Sequence, residues 1–202
     1  MNPSIGRIGA AGLLASGATL LAGAGLLVSR GRMHVDLGWG RSLHSLGPTE
    51  VVIDAPRDLV FQQISGPYLG RVPAALKDKI KVLERSETMV VAEHRTPMPL
   101  MDAVTVEAVG FEPPGRITFR LLRGPVPHVT EEFVLEEAES GTRLTYRGEL
   151  GADLWVIGRF YGTRLVRPVW EATVAGSLEG IKKGAEKRAA SQRKREEREK
   201  EG

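Results

Sequence analysis

The stretch LLRGPVPHVTEEF, residues 121–133, brings together residue types able to do chemistry. Strand alternation places Phe119 and Leu121 on one face, and Phe133 and Leu135 on the matching face across the turn. The same alternation turns Glu131 inward, opposite Leu121, with Arg123 on the diagonal. In the next hairpin, pairing about Ser140–Gly141 sets Tyr146 opposite Leu135, also inward. Arg123, Glu131 and Tyr146 are thus expected to line one apolar interior, with His128 near its rim. An inward carboxylate must be paired, hydrogen-bonded or protonated. Three uses follow: an Arg123–Glu131 pair closing the sheet end, a polar anchor for a ligand headgroup, or acid–base work by Glu131 or His128 on a carbonyl substrate. No nucleophile–base–orienter motif is present. His94 and Asp102 flank a TPMPLM turn and read as surface loop residues.

The elements that must position these groups are legible in outline. A strand, EVVIDA (50–55), is followed by Pro56 and a helical run, RDLVFQQI, with Leu59, Val60 and Ile64 at helical spacing. SGPYLGRVP interrupts it. Strand-like runs cover 79–85, 88–95, 102–111, 116–123, 128–138 and 142–150. From Leu154 a helical pattern continues to the end, with a break expected near Pro168. In that last helix Trp170, Val174, Ser177, Leu178, Ile181 and Ala185 form an apolar face. Gly176, Gly180 and Gly184 trim one flank of it, at about 1 kcal/mol each relative to alanine. Such a stripe either admits close packing against the sheet or leaves volume for a guest.

This order resembles the START-like helix-grip superfamily (SRPBCC), which includes polyketide cyclases, lipid-transfer START domains and coenzyme-Q-binding relatives. VVIDAPRDLVFQQI, GTRLTYRGEL and LEGIKKGAEKRA carry the resemblance, which spans about residues 48–190. It implies an α+β fold, a curved antiparallel sheet wrapped around a long C-terminal helix, with a cavity between them for an apolar or amphipathic ligand. Arg123, Glu131, Tyr146, Phe119, Phe133, Trp170, Gly176 and Gly180 are the expected ligand-binding residues.

Composition narrows the classes. The chain has no cysteine, and its four histidines show no metal-ligand spacing, so neither a disulfide nor a metal site is expected. No cofactor is expected either. The net charge of +3 is unevenly spread: residues 1–47 and the tail from Lys187 are each +3, whereas 48–186 is −3. A mildly acidic body argues against nucleic acid as a partner.

Ile8 to Val28 is uncharged and long enough to cross a bilayer core. A cleaved signal peptide, with AGA at 22–24 as its cleavage site, is the rival reading. Arg30, Arg32 and Arg41 outnumber Arg7, so the expectation is a single-pass anchor in the cell membrane with the domain cytoplasmic. Ala11, Ala15, Thr19 and Gly23 form a small-residue stripe through which two anchors could pair as a homodimer. The organisation read is an anchor (1–29), a juxtamembrane linker (30–48), the helix-grip domain (49–188) and a charged tail (189–202). The expected function is membrane-anchored binding of a hydrophobic small molecule, either lipid, quinone or polyketide-like. A cyclase or dehydratase and an interaction protein with an occluded cavity are the alternatives.

Overall fold

The computed structural model describes residues 23, 25–28, 30–97 and 102–201. Seven antiparallel strands form one sheet: β1 (Ser42–Ile53), β2 (Ile80–Arg85), β3 (Met89–Thr96), β4 (Ala103–Glu112), β5 (Arg116–Arg123), β6 (His128–Ala138) and β7 (Gly141–Ala152). Their spatial order is β1-β7-β6-β5-β4-β3-β2. Helices α1 (Arg57–Leu69), α2 (Trp155–Tyr161) and α3 (Arg167–Glu201) accompany it, and a π turn at Gly162–Val166 joins the last two. This is the expected α+β helix grip. Most of the candidate anchor at 8–28 lies outside the described residues. Among the described residues no helix is long and apolar enough to cross a membrane.

Three elements differ from the sequence reading. Strand β1 starts at Ser42, inside the expected linker, because Ser42–Leu46 pair with Gly148–Ala152 of β7. Helix α1 runs through Gly66–Pro67 to Leu69, since Tyr68 falls one turn after the buried Ile64 and is itself buried. Arg85 of β2 then takes the carbonyls left free at the helix end, with Nε donating to Tyr68 O and Nη2 to Gly70 O, both at 2.9 Å. The irregularity near Pro168 is a π turn placed just ahead of it.

The concave face of the sheet carries the core. Ile117, Phe119, Leu121, Val129, Phe133, Leu135, Leu144 and Leu150 are buried there against α1 and α3. Helix α3 contributes Leu178, Ala185 and Ala189 as fully buried residues, and Trp170, Val174 and Ile181 as half-buried ones. Its later half is latched: Lys182 Nζ donates to Val52 O at 2.6 Å, and Arg193 forks onto Asp54 at 3.2 Å.

The glycine stripe is not the device expected. Gly176 and Gly180 are exposed, and a Cβ at either would meet nothing within 4 Å. They face neither the sheet backbone nor a guest. Only Gly184 sits close to a neighbour, the Gln63 side chain of α1. Gly141 differs: its φ is +112°, and a Cβ there would collide with the Ile53 carbonyl. Gly180→Ala should therefore stabilise the fold by up to about 1 kcal/mol, whereas Gly141→Ala should destabilise it by about 1–3 kcal/mol. Urea unfolding of both variants against the wild type checks the opposite signs.

Candidate functional site

Glu131 lies on the concave face of β6, between Phe119 of β5 and Gly148 of β7. A Cβ on Gly148 would stand 3.0 Å from Glu131 Cγ and 2.7 Å from Thr130 O, so the missing side chain gives the carboxylate its room. Tyr146, one step along β7, donates its hydroxyl to Glu131 Oε1 at 2.6 Å. Trp170 reaches down from α3 and donates its indole N–H to the same oxygen at 2.7 Å. Oε2 has no hydrogen-bond partner among the described residues. Glu131 is half-buried on this face.

A second polar group sits farther along the same face. His94 of β3 places Nδ1 3.0 Å from Glu107 Oε2. That approach lies off the N–H axis, so the contact is an ion pair rather than an aligned hydrogen bond. The other ring nitrogen, Nε2, is 2.9 Å from Tyr68 Oη, and Thr105 Oγ1 donates to Glu107 Oε1 at 2.6 Å. The two groups are joined by an arc of rings. Tyr68 meets Phe119 edge-on at 6.0 Å, Phe119 meets Phe133 edge-on at 5.6 Å, and Phe133 lies 5.6 Å from Tyr146.

Electrostatics separate the two carboxylates. Burial alone would raise Glu107, but the His94 imidazole and Thr105 outweigh it, so Glu107 is held below its ordinary range and stays ionised. Burial likewise opposes the charge on His94, and Glu107 overcomes it, leaving His94 raised. Glu131 is pushed up to about 7, first by burial and then by the Glu107 charge, against the pull of Tyr146 and Trp170. Two acids on one concave face thus differ in protonation near neutrality, the arrangement that lets one hold charge while the other exchanges a proton.

Among the residues expected in the site, the structure gathers Glu131, Tyr146, Phe119, Phe133 and Trp170. The hairpin registers each differ by two residues: Phe119, not Leu121, is opposite Glu131, and Tyr146 is opposite Phe133. A shift of two preserves the faces. Arg123 is a correction. A bulge at Leu122 lets β5 pair Leu121 with Glu107 but Arg123 with Val106, a one-residue slip that turns Arg123 to the outer face. It is exposed and makes no pair with Glu131. His128 is also on the outer face, where its Nε2 meets Glu149 at 3.1 Å. Gly176 and Gly180 lie away from the cluster. Conversely, His94 is no loop residue but shares the inward face of β3 with Val90 and Ala92. That alternation was available in MVVAEHRT, as was the Thr105–Glu107–Val109 alternation in β4. Two clefts lie elsewhere, one of about 590 Å³ beside edge strand β2 and one of about 360 Å³ at the start of α1. Neither touches Glu131.

Residues 48–186 match the family described as polyketide cyclase / dehydrase and lipid transport. The chain belongs to that family. Its resemblance to the helix-grip superfamily is thereby borne out. The di-domain aromatase/cyclase StfQ of the steffimycin pathway aligns with a TM-score of 0.56 at 16% identity, covering 74% of this chain and 52% of that one. Norcoclaurine synthase from Thalictrum flavum, in complex with dopamine and hydroxybenzaldehyde, gives 0.56 at 11% identity over 75% and 92%. Ara h 8.0201 gives 0.53 at 14% identity over 74% and 99%. At these identities the likeness establishes the fold. This chain spans 52% and 59% of the lengths of the two di-domain proteins it resembles. No curated protein matches.

The Glu131 shift has a thermodynamic consequence. The folded chain holds this proton more tightly than the unfolded one, whose carboxyl titrates near 4.5. The stabilisation is complete below that pH and disappears as pH rises to about 7, a loss of about 3 kcal/mol. Glu131→Gln keeps an acceptor for Tyr146 and Trp170 but cannot ionise. Urea unfolding should find variant and wild type alike near pH 4.5, and the variant more stable by about 3 kcal/mol at pH 8. A difference that does not vary with pH contradicts the assignment.

Proposed function

We propose that this protein is a membrane-anchored binding protein for an apolar or amphipathic small molecule, lipid, quinone or polyketide-like. The ligand presents a carbonyl-type acceptor to Glu131. The free Oε2 carries this reading. Oε1 already accepts two hydrogen bonds, so the proton of the neutral acid resides on Oε2, which has no other partner among the described residues. An apolar concave face carrying one O–H without a partner suits a greasy molecule with a single polar handle. The family supports the ligand class, since its description includes lipid transport. Attachment to a bilayer through residues 8–28 would keep the site beside the reservoir of such molecules.

A second reading is favoured by the Tyr68–His94–Glu107 group. Glu131 and this relay border one aromatic arc, so a carbonyl polarised by Oε2–H could exchange protons with both during ring closure or dehydration. The fold neighbours named as aromatase/cyclases are consistent with that chemistry.

Small molecules extracted from protein purified out of its native membrane, identified by mass spectrometry, test the binding reading. The expected finding is an apolar molecule bearing a carbonyl, bound less tightly as pH rises past 7. Glu131→Ala should weaken it by about 10–100-fold, one charge-assisted or buried hydrogen bond's worth. Glu131→Gln should retain it, because the amide N–H replaces the acid O–H. Ligand converted by the wild type but only bound by Glu131→Gln would establish the cyclase reading. Purification with no small molecule, from any preparation, would favour an occluded interaction protein.

A further inference from the structure

The described chain exposes apolar residues in one region far more than elsewhere. On α2 and the π turn, Val156 is 70% exposed, Ile157 75% and Phe160 62%. Trp39, 70% exposed, and Leu37, 49%, lie on the segment leading into β1. Strand registers place all of them at one end of the sheet. β1 begins there, and β7 ends there at Ala152. β4 begins and β5 ends there, as the Val106–Arg123 pairing shows.

The segment before β1 is fastened to this end. Asp153 accepts hydrogen bonds from Leu37 N at 2.8 Å, Gly38 N at 2.9 Å and Arg41 Nε at 2.7 Å. The backbone N–H groups of Leu154 and Trp155 donate to Trp39 O and Gly40 O at 2.8 and 2.9 Å, and the Trp155 indole covers Gly40. Leu154 and Trp155 hold φ values of 71° and 48° to do so, a conformation that non-glycine residues adopt only when surroundings impose it.

Upstream, residues 25–28 are helical, and the helix stops at this same end of the sheet. Arg32 N bonds to Leu27 O at 2.9 Å and Gly31 N to Val28 O at 3.0 Å, around Gly31 at φ +63°. This is a Schellman C-terminus. A Cβ on Gly31 would sit 2.9 Å from Val104 O, so the helix end abuts the first residues of β4. The uncharged run 8–28 therefore terminates at the same end of the sheet as the apolar platform. Arg30 and Arg32 after that helix, and Arg159 and Arg164 on α2 and the π turn, are exposed with no carboxylate partner among the described residues.

We infer that the α2 face, with Trp39 and Leu37, is a docking surface for an anionic lipid bilayer, which holds this end of the grip against the headgroup–acyl boundary. Three observations select a bilayer over a protein. A bilayer-length uncharged segment ends at the same end of the sheet as the platform. Tryptophan and phenylalanine are mixed with aliphatic residues, as at membrane interfaces. Arginines without a carboxylate partner among the described residues, two of them on α2 and the π turn, lie at this end, complementary to anionic headgroups. The inference rests on the membrane attachment proposed above and adds orientation to it.

The chain has no cysteine, so single nitroxide labels can be placed at Val156→Cys, Phe160→Cys and, at the opposite end of the sheet, Glu139→Cys. Full-length protein is floated with phosphatidylcholine–phosphatidylglycerol vesicles, and each label's accessibility to oxygen and to a water-soluble nickel chelate is measured. Docking requires labels at 156 and 160 to lie roughly 5–10 Å below the headgroups, with the label at 139 in water. Val156→Glu with Ile157→Glu should return the 160 label to water without preventing flotation. Flotation with all three labels aqueous overturns the docking surface and leaves attachment intact. Failure to float overturns both. Labels at 156 and 160 shielded without lipid mean that protein, a second copy or this chain's own first residues, covers the face, which also overturns it.

Discussion

Glu131 Oε1 is where the grip is closed. One donor comes from β7 and the other from the beginning of α3, residues 39 positions away along the chain. A carboxyl set among Phe119, Phe133 and Tyr146 is tolerable only when its acceptor oxygen is fully engaged. Those two donors therefore fix the height at which Trp170 enters, and with it the start of the long helix over the concave face. Gly148 is part of the same requirement, because any side chain opposite Glu131 would displace the carboxylate from both donors.

Meeting the acceptor requirement on one oxygen leaves the other as the only outlet for the group's remaining chemistry. Glu107 then determines the protonation state. Stabilised by His94 and Thr105, it remains an anion, and its charge helps keep Glu131 neutral up to about pH 7. Exchanging the two environments would exchange the roles. Burial of both groups keeps this repulsion stronger than it would be at a surface.

How much of this was legible follows from periodicity. Inward parity identified Glu131, Tyr146, Phe119 and Phe133, and it survived register differences of two residues, because parity is indifferent to even shifts. It failed at Arg123, where one bulged residue in LLR inverts the face, and no local residue type marks a bulge there. It was misapplied at His94: the neighbouring TPMPLM turn drew the residue into a loop, although Val90 and Ala92 shared its parity. Helical spacing located Trp170, Leu178 and Ala185 correctly. It assigned meaning to Gly176 and Gly180 that tertiary structure does not supply, since a flank of an apolar face can end in solvent as readily as against a sheet.

The two ends of the fold differ in how they are held. The far end is latched by polar contacts between α3 and the end of β1: Lys182 donates to Val52 O, Asp54 N donates to Glu186 at 3.2 Å, and Arg193 donates to the Asp54 carboxylate. At the other end α3 begins after a π turn, and α2 departs from Asp153 through two left-handed residues. That junction is secured mainly by the fastened segment before β1. A π turn leaves a helix with an irregular carbonyl ladder, and exposed apolar residues give α2 little packing of its own. The two ends thus differ in kind: side chains of α3 hold one, while the Asp153 carboxylate and backbone pairing with the segment before β1 hold the other.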